Sequence, residues 1–226
     1  MKHDVLAKEL LNTEFTPLQP SSPISAALAK MDSWQSSSIP VVEPATNMIV
    51  GHILLEDITD SIDESLPISD LSIHRPIYAY ENQHVFEVAR QMLLHEVRII
   101  SVIDITEQYI GIIEKKHVLE ALSTMLNITT AGSVITVHLA KSDFMLSELV
   151  HLIETEGAKI LGLTVEQSRN GDSVIQVSLK ISHEDTSAVT SSLQRHGYYT
   201  TTENKSDLLQ VDFTSRADEL MRYLDL

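Results

Sequence analysis

The feature that most constrains this chain is that its first half is written twice. Residues 16–58 and 76–118 run through the same order of patterns at an offset drifting between about 59 and 61 residues. In the first copy Ile24, Ala27, Leu28 and Met31 fall at i, i+3, i+4 and i+7; in the second, Val85, Val88, Ala89 and Met92 do the same. That spacing lines four apolar side chains along one helical face. A short apolar strand follows each helix, Ile39-Pro40-Val41-Val42 and then Ile100-Ser101-Val102-Ile103. A second strand carrying one glycine comes next, Ile49 to Leu54 around Gly51 and Tyr109 to Ile113 around Gly111. Each unit alone has too little core to stand by itself. The two are expected to pack together, and the seam between similar units is a natural place for a ligand.

This order of helix, I-P-V-V strand, G-H-I-L-L-E-D strand and helix resembles the cystathionine-β-synthase (CBS) domain, and the tandem resembles a CBS pair, or Bateman module. The likeness covers roughly residues 1–127, as repeat 1 over 1–65 and repeat 2 over 66–127, two β-α-β-β-α units. The family hallmark is glycine, two apolar residues, Thr or Ser, two further residues and Asp. A hydroxyl at the strand end and a carboxylate on the first helical turn can both reach a ribose, while the helix start favours phosphate. Here the first copy reads Gly51 to Asp57, with Asp57 in the acidic position and Leu54 in the hydroxyl position. The second copy reads Gly111 to His117, with Glu114 in the hydroxyl position, His117 in the acidic position, and Lys115 and Lys116 between them. The resemblance implies an effector cleft lined by Pro17, Leu18, Ser38, Ile39, Pro40 and Asp57, with Glu114 and His117 at its counterpart. Leu18 would face an adenine ring, and AMP, ADP or ATP would bind weakly because one motif hydrogen bond is missing.

Beyond the polar linker Asn127–Gly132 the pattern changes. Ile135, Val137 and Leu139 alternate like a half-buried strand, and Leu146, Leu149, Val150 and Ile153 return to helical spacing before Gly157. Leu161, Leu163 and Val165 alternate again. Asn170-Gly171 reads as a hairpin turn, and Ile175, Val177, Leu179 and Ile181 as the returning strand. A helix from about Asp185 to Gly197 and a strand at Tyr198–Thr202 complete β-α-β-β-α-β over 133–203, the ferredoxin-like order. Its loops resemble an ACT domain, a small regulatory module that often binds amino acids between paired copies. Phe144 stands where many such domains have glycine, so the module reads as a dimerisation unit. Residues 204–226 form an extension, with an edge strand at 208–213 and a helix opening at Ser215. The fold class is therefore α+β, a CBS pair followed by a ferredoxin-like ACT domain. That layout resembles acetoin-utilisation-type regulatory proteins.

Charge and composition narrow the partners. Of 226 residues, 16 are Lys or Arg and 32 are Asp or Glu, for a net charge of −16. Neither half is basic: eight cations face eighteen acids in residues 1–130, and eight face fourteen in 131–226. Nucleic acid and anionic membrane are thus unexpected partners. The absence of cysteine removes thiolate sites and fits a cytoplasmic protein. The segment Met1–Leu11 reads as a short charged helix, and no apolar run has the length of a membrane span. The ten histidines form no H-E-x-x-H or H-x-H, so no metal is expected. No nucleophile elbow, P-loop or G-x-G-x-x-G occurs, so no catalytic residue is assigned and the chain is not expected to be an enzyme. The expected function is a cofactor-free, ligand-sensing homodimer that acts on a protein partner the sequence does not name. The alternative is a ligand-free interaction scaffold built on the same folds.

Overall fold

The computed structural model describes residues 5–58, 63–167 and 174–202. The chain divides into two compact units between Leu122 and Ser123, a point inside a helix and ahead of the polar linker at 127–132.

In the first unit the repetition is geometric. The first copy has helix α1 (Ile24–Ser33) and strands β1 (Ser38–Glu43) and β2 (Met48–Leu54). The second has β3 (Tyr78–Tyr80), α2 (Val85–Leu94), β4 (Ile99–Ile103), β5 (Tyr109–Glu114) and α3 (Lys115–Met125). Strands β1 and β2 pair antiparallel with a bulge at Val41/Val42, and β4 and β5 do so with a bulge at Val102/Ile103. Parallel to β4 runs β3, with Ala79 opposite Val102, and the matching position in the first copy is a single bridge from Leu18 to Val41. The apolar stripes do what their spacing implies: Ile24, Ala27 and Met31 of α1 and Val85, Val88 and Met92 of α2 are buried. Burial of such aliphatic side chains contributes about 1.5–3 kcal/mol each. Phe15 and Trp34 meet edge-on at 5.1 Å in the first core.

One expectation is corrected here. The charged N-terminal helix is, within the described residues, one 3-10 turn at Ala7–Glu9. Its backbone groups are drawn into the second copy instead, where the amides of Ala7 and Lys8 donate to Gln83 and Glu81 carbonyls and Val85 donates to Val5. The last helix expected in the first copy falls in part on residues 59–62, outside the described residues; its described start is a 3-10 turn at Leu55–Asp57.

The segments leading into each copy cross to the other. As Ala7 reaches the start of α2, so Ile68 and Ser69 donate to Ser22 and Pro20 ahead of α1, and Ile24 donates to Leu66. Farther along, Asn12 pairs with Ile112 on β5, and His74 pairs with His52 on β2. These crossed arms tie the copies into one body.

The second unit holds a four-stranded antiparallel sheet in the order β7 (Ile160–Gln167), β8 (Val174–Ile181), β6 (Ser133–Ala140), β9 (Tyr199–Thr202), with α4 (Leu146–Thr155) and α5 (Ser187–Arg195). This is the ferredoxin-like order. Both helices lie against one face. Ile135, Val137, Val177 and Leu179 from the sheet pack with Leu149, Ile153, Val189 and Leu193 from the helices. The other face is polar, with Thr136 opposite Ser178 on one side and Thr201 on the other. Phe144 packs against this core. The Asn170-Gly171 turn and the 204–226 extension lie outside the described residues.

Candidate functional site

The hallmark segments sit where β2 and β5 end. In the first copy Leu54 is still extended, and the chain then turns into Leu55–Asp57. The carboxylate of Asp57 accepts from the Leu54 amide at 2.9 Å. This is the returning half of a capping box; a leucine offers no oxygen for the other half. Asp57 is thus held at the strand end even without the usual hydroxyl. Both of its oxygens lie 3.0 Å from Nε2 of His74 on the crossing arm. The His74 ring stacks on His52 at 5.6 Å. Burial first, and the facing His74 second, hold the His52 imidazole below its ordinary 6.5.

The second copy repeats the arrangement with other residues. Glu114 accepts from the Asn12 amide at 3.0 Å and from Lys116 Nζ at 2.8 Å, with His117 Nδ1 3.9 Å away. Burial pushes the Glu114 carboxyl up, but Lys116, Asn12 and His117 outweigh it and hold it below the ordinary 4.5. In each copy a polar residue of the other copy's arm therefore already sits on a motif carboxylate, His74 on the acidic position Asp57 in the first and Asn12 on Glu114, at the hydroxyl position, in the second.

The glycines of the two motifs have a matching reason. A Cβ on Gly51 would collide with the His74 carbonyl oxygen, and one on Gly111 would lie 2.7 Å from that of Asn12. They are glycine because an arm passes over them.

Two open cavities adjoin the first motif. One, of about 720 Å³, is lined by Leu28, Met31 and Asp32 of α1, by Gln35–Ser37 and Leu55, and by Arg98 of the second copy. The other, of about 480 Å³, is lined by Ser37, Ser38 and Leu54–Glu56 with His95, Glu96 and Val97. They share Ser37 and Leu55. The two loops that face each other here are repeat equivalents, each entered through a positive-φ residue, Gln35 and Glu96. Arg98 Nη1 bridges them by donating to the Gln35 carbonyl at 3.1 Å. Arg98 is the one Lys or Arg among the residues lining either cavity.

Of the residues read from sequence, Ser38 lines the smaller cavity beside Leu54. Leu18 and Ile39 are 1% and 0% exposed, and both belong to the first core. Pro40 is buried in β1, and Pro17 is half-buried. Asp57 is brought to His74, and Glu114 and His117 stand one helical turn apart in the other copy. His74, Asn12 and Arg98 were not singled out from sequence. Arg98 is the repeat equivalent of Ser37 and was legible from the offset. The two arm residues precede the repeated segments, so nothing in the repetition pointed to them.

Among the described residues no cluster of three His, Asp or Glu could hold a metal ion. No helix among them is long and apolar enough to cross a membrane.

The family model of the CBS domain matches this chain twice, over residues 7–64 and 68–124. No curated protein matches it. Among solved structures, a CBS domain pair/ACT domain protein from Thermotoga maritima is similar at 19% identity and a TM-score of 0.49, over 54% of this chain and 98% of that one. The CBS domains of a transcriptional regulator from Streptococcus pneumoniae are similar at 18% identity and 0.45, over 51% and 97%. CBSX2, solved in complex with AMP, is similar at 18% and 0.44, over 54% and 98%. Two family matches in tandem, on two copies whose antiparallel strand pairs and bulges correspond, establish that the chain belongs to the CBS-domain family.

Proposed function

We propose that the CBS pair is a non-enzymatic sensor that takes an adenine nucleotide with few phosphates beside the first motif. CBS domain pairs generally bind adenine nucleotides and act as regulatory modules, which makes this ligand class the one to expect. The observation that carries the reading is the pair of cavities meeting at Ser37 and Leu55 with Arg98 between them. Apolar walls from Leu28, Met31 and Leu54 suit a base and Arg98 suits one phosphate. Asp57 lines neither cavity but follows Glu56, which lines the smaller one, and it is the acid proposed for the ribose hydroxyls. Asp32, Glu56 and Glu96 line the same space and oppose a long phosphate chain, so AMP is favoured over ATP. Leu54 supplies no hydroxyl, and the missing hydrogen bond, about 0.5–1.5 kcal/mol, weakens binding by roughly two- to tenfold.

The bound state would act on a protein partner through a homodimer, in the manner of acetoin-utilisation-type CBS–ACT proteins. Supporting the dimer are Phe86, Leu93 and Leu94, exposed at 56%, 65% and 64% on α2. Strands β7 and β9, at the edges of the ACT-like sheet among the described residues, support it as well.

A second reading, a scaffold without ligand, is favoured by one observation: His74 and Asn12 already hold a carboxylate of each motif, Asp57 and Glu114. Calorimetric titration of AMP and ATP into wild type, Asp57→Ala and Arg98→Ala decides between the two. Binding weakened at least threefold in both variants supports the sensor. Equal affinity in all three removes Asp57 and Arg98 from the site, and no heat in any of them leaves the scaffold.

A further inference from the structure

We propose that His74 is a built-in competitor for the first motif: with the cleft empty it latches the crossing arm onto Asp57, and a ribose-bearing ligand must displace it. The inference rests on the sensor reading for its ligand, but the latch itself is a property of the free protein.

The geometry carries it. A ribose presents two neighbouring hydroxyls, which need both oxygens of one carboxylate as acceptors. Both oxygens of Asp57 face the same His74 nitrogen at 3.0 Å, and one also takes the Leu54 amide. The acid lies beneath the imidazole: the Asp57 side chain is 15% exposed and that of His74 is 39% exposed. A ligand approaching from solvent therefore meets the ring before the carboxylate.

The latch is also light enough to open. Around His74 the arm is held by two main-chain hydrogen bonds, His74 N–H to the His52 carbonyl at 2.9 Å and His52 N–H to the His74 carbonyl at 3.1 Å. The ring adds its contact with Asp57 and its stack on His52. Gly51 completes the seat, since only a residue without a Cβ lets the arm lie this close.

Opening has a consequence in the other copy. Four residues after His74 the arm becomes β3, paired with β4 through Tyr78–Tyr80. Releasing His74 thus frees the lead into the second copy's sheet, giving a ligand at the first motif a mechanical route to the second. In the second copy the other arm makes a different contact, Asn12 on Glu114 at the hydroxyl position of that motif.

The test uses the full chain. AMP is titrated calorimetrically into wild type, His74→Ala and His74→Gln, and amide exchange at His52 is followed in each without ligand. The expected result is AMP binding about three- to tenfold tighter in His74→Ala, with His52 exchange several-fold faster. His74→Gln, which keeps a donor toward Asp57, should return both values toward wild type. Unchanged or weaker AMP binding in His74→Ala overturns the competitor. If AMP binds none of the three proteins, the ligand reading fails separately, and exchange decides the latch: faster in His74→Ala and restored in His74→Gln upholds it, while equal rates refute it.

Discussion

Gly51→Ala is a sharp test of the crossed arms, because this glycine is needed for space alone. Its φ is not among the positive values, so alanine fits the strand backbone without strain. The added Cβ would collide with the His74 carbonyl oxygen and lie 2.5 Å from Ile73 Cγ2. The carbonyl is backbone and cannot swing aside, so the arm must lift. That breaks the two main-chain hydrogen bonds between His52 and His74. At about 0.5–1.5 kcal/mol each the loss is about 1–3 kcal/mol. Alanine returns about 0.4–1 kcal/mol by restricting the unfolded chain. The net destabilisation is about 1–2 kcal/mol, which for a urea slope near 2 kcal/mol/M lowers the midpoint by about 0.5–1 M. The assay is urea unfolding followed by Trp34 fluorescence. Trp34 is the chain's single tryptophan and packs on Phe15 in the first core, so it reports the first unit. A midpoint equal to wild type within about 0.1 M would refute the argument that the arm requires this glycine.

Three further outcomes are expected. His52 is held below 6.5 by burial and by His74, with His95 and Asp57 also facing it and the Arg75 backbone bonded to it. The unfolded chain takes up that proton first as pH falls, so the first unit should lose stability below about pH 6.5, and His52→Gln should flatten the loss seen by Trp34 fluorescence. In the second unit, burial and then the bond to Glu148 push the Tyr198 phenol from 10.0 up to about 12. The folded unit therefore keeps its proton where the unfolded chain loses it, and stability followed by circular dichroism should fall between pH 10 and 12, less so in Tyr198→Phe. Light scattering at micromolar concentration should give twice the chain mass of 25.2 kDa, and a mass near the single-chain value would count against the dimer.

Much of this architecture is written in short-range patterns. The spacing of Ile24, Ala27 and Met31 against Val85, Val88 and Met92 names two helices and their buried faces, because a helix returns to the same side every 3.6 residues whatever surrounds it. The alternation of Ile135, Val137 and Leu139 names a half-buried strand on equally local grounds, and β6 buries all three. Where distant main chain competes for a segment's amides, pattern reading fails. Met1–Leu11 has helical composition, yet its described part spends its amides on Glu81 and Gln83, more than seventy residues away.

The candidate site divides along the same line. By itself the sequence determined that two copies exist, that Gly51 to Asp57 and Gly111 to His117 are their motif segments, and that the first alone keeps an Asp at the motif's last position, Asp57. Only the tertiary structure decided what those acids touch. His74 and Asn12 lie outside the repeated segments, and their partners, Asp57 and Glu114, are 17 and 102 residues away in sequence. Arg98 meets Gln35 across 63 residues. The physical reason is that helix and strand periods are local and show in a window of residues. A hydrogen bond between an arm and a distant strand end leaves no periodic trace, and it exists only once the two copies have packed and the arms have crossed.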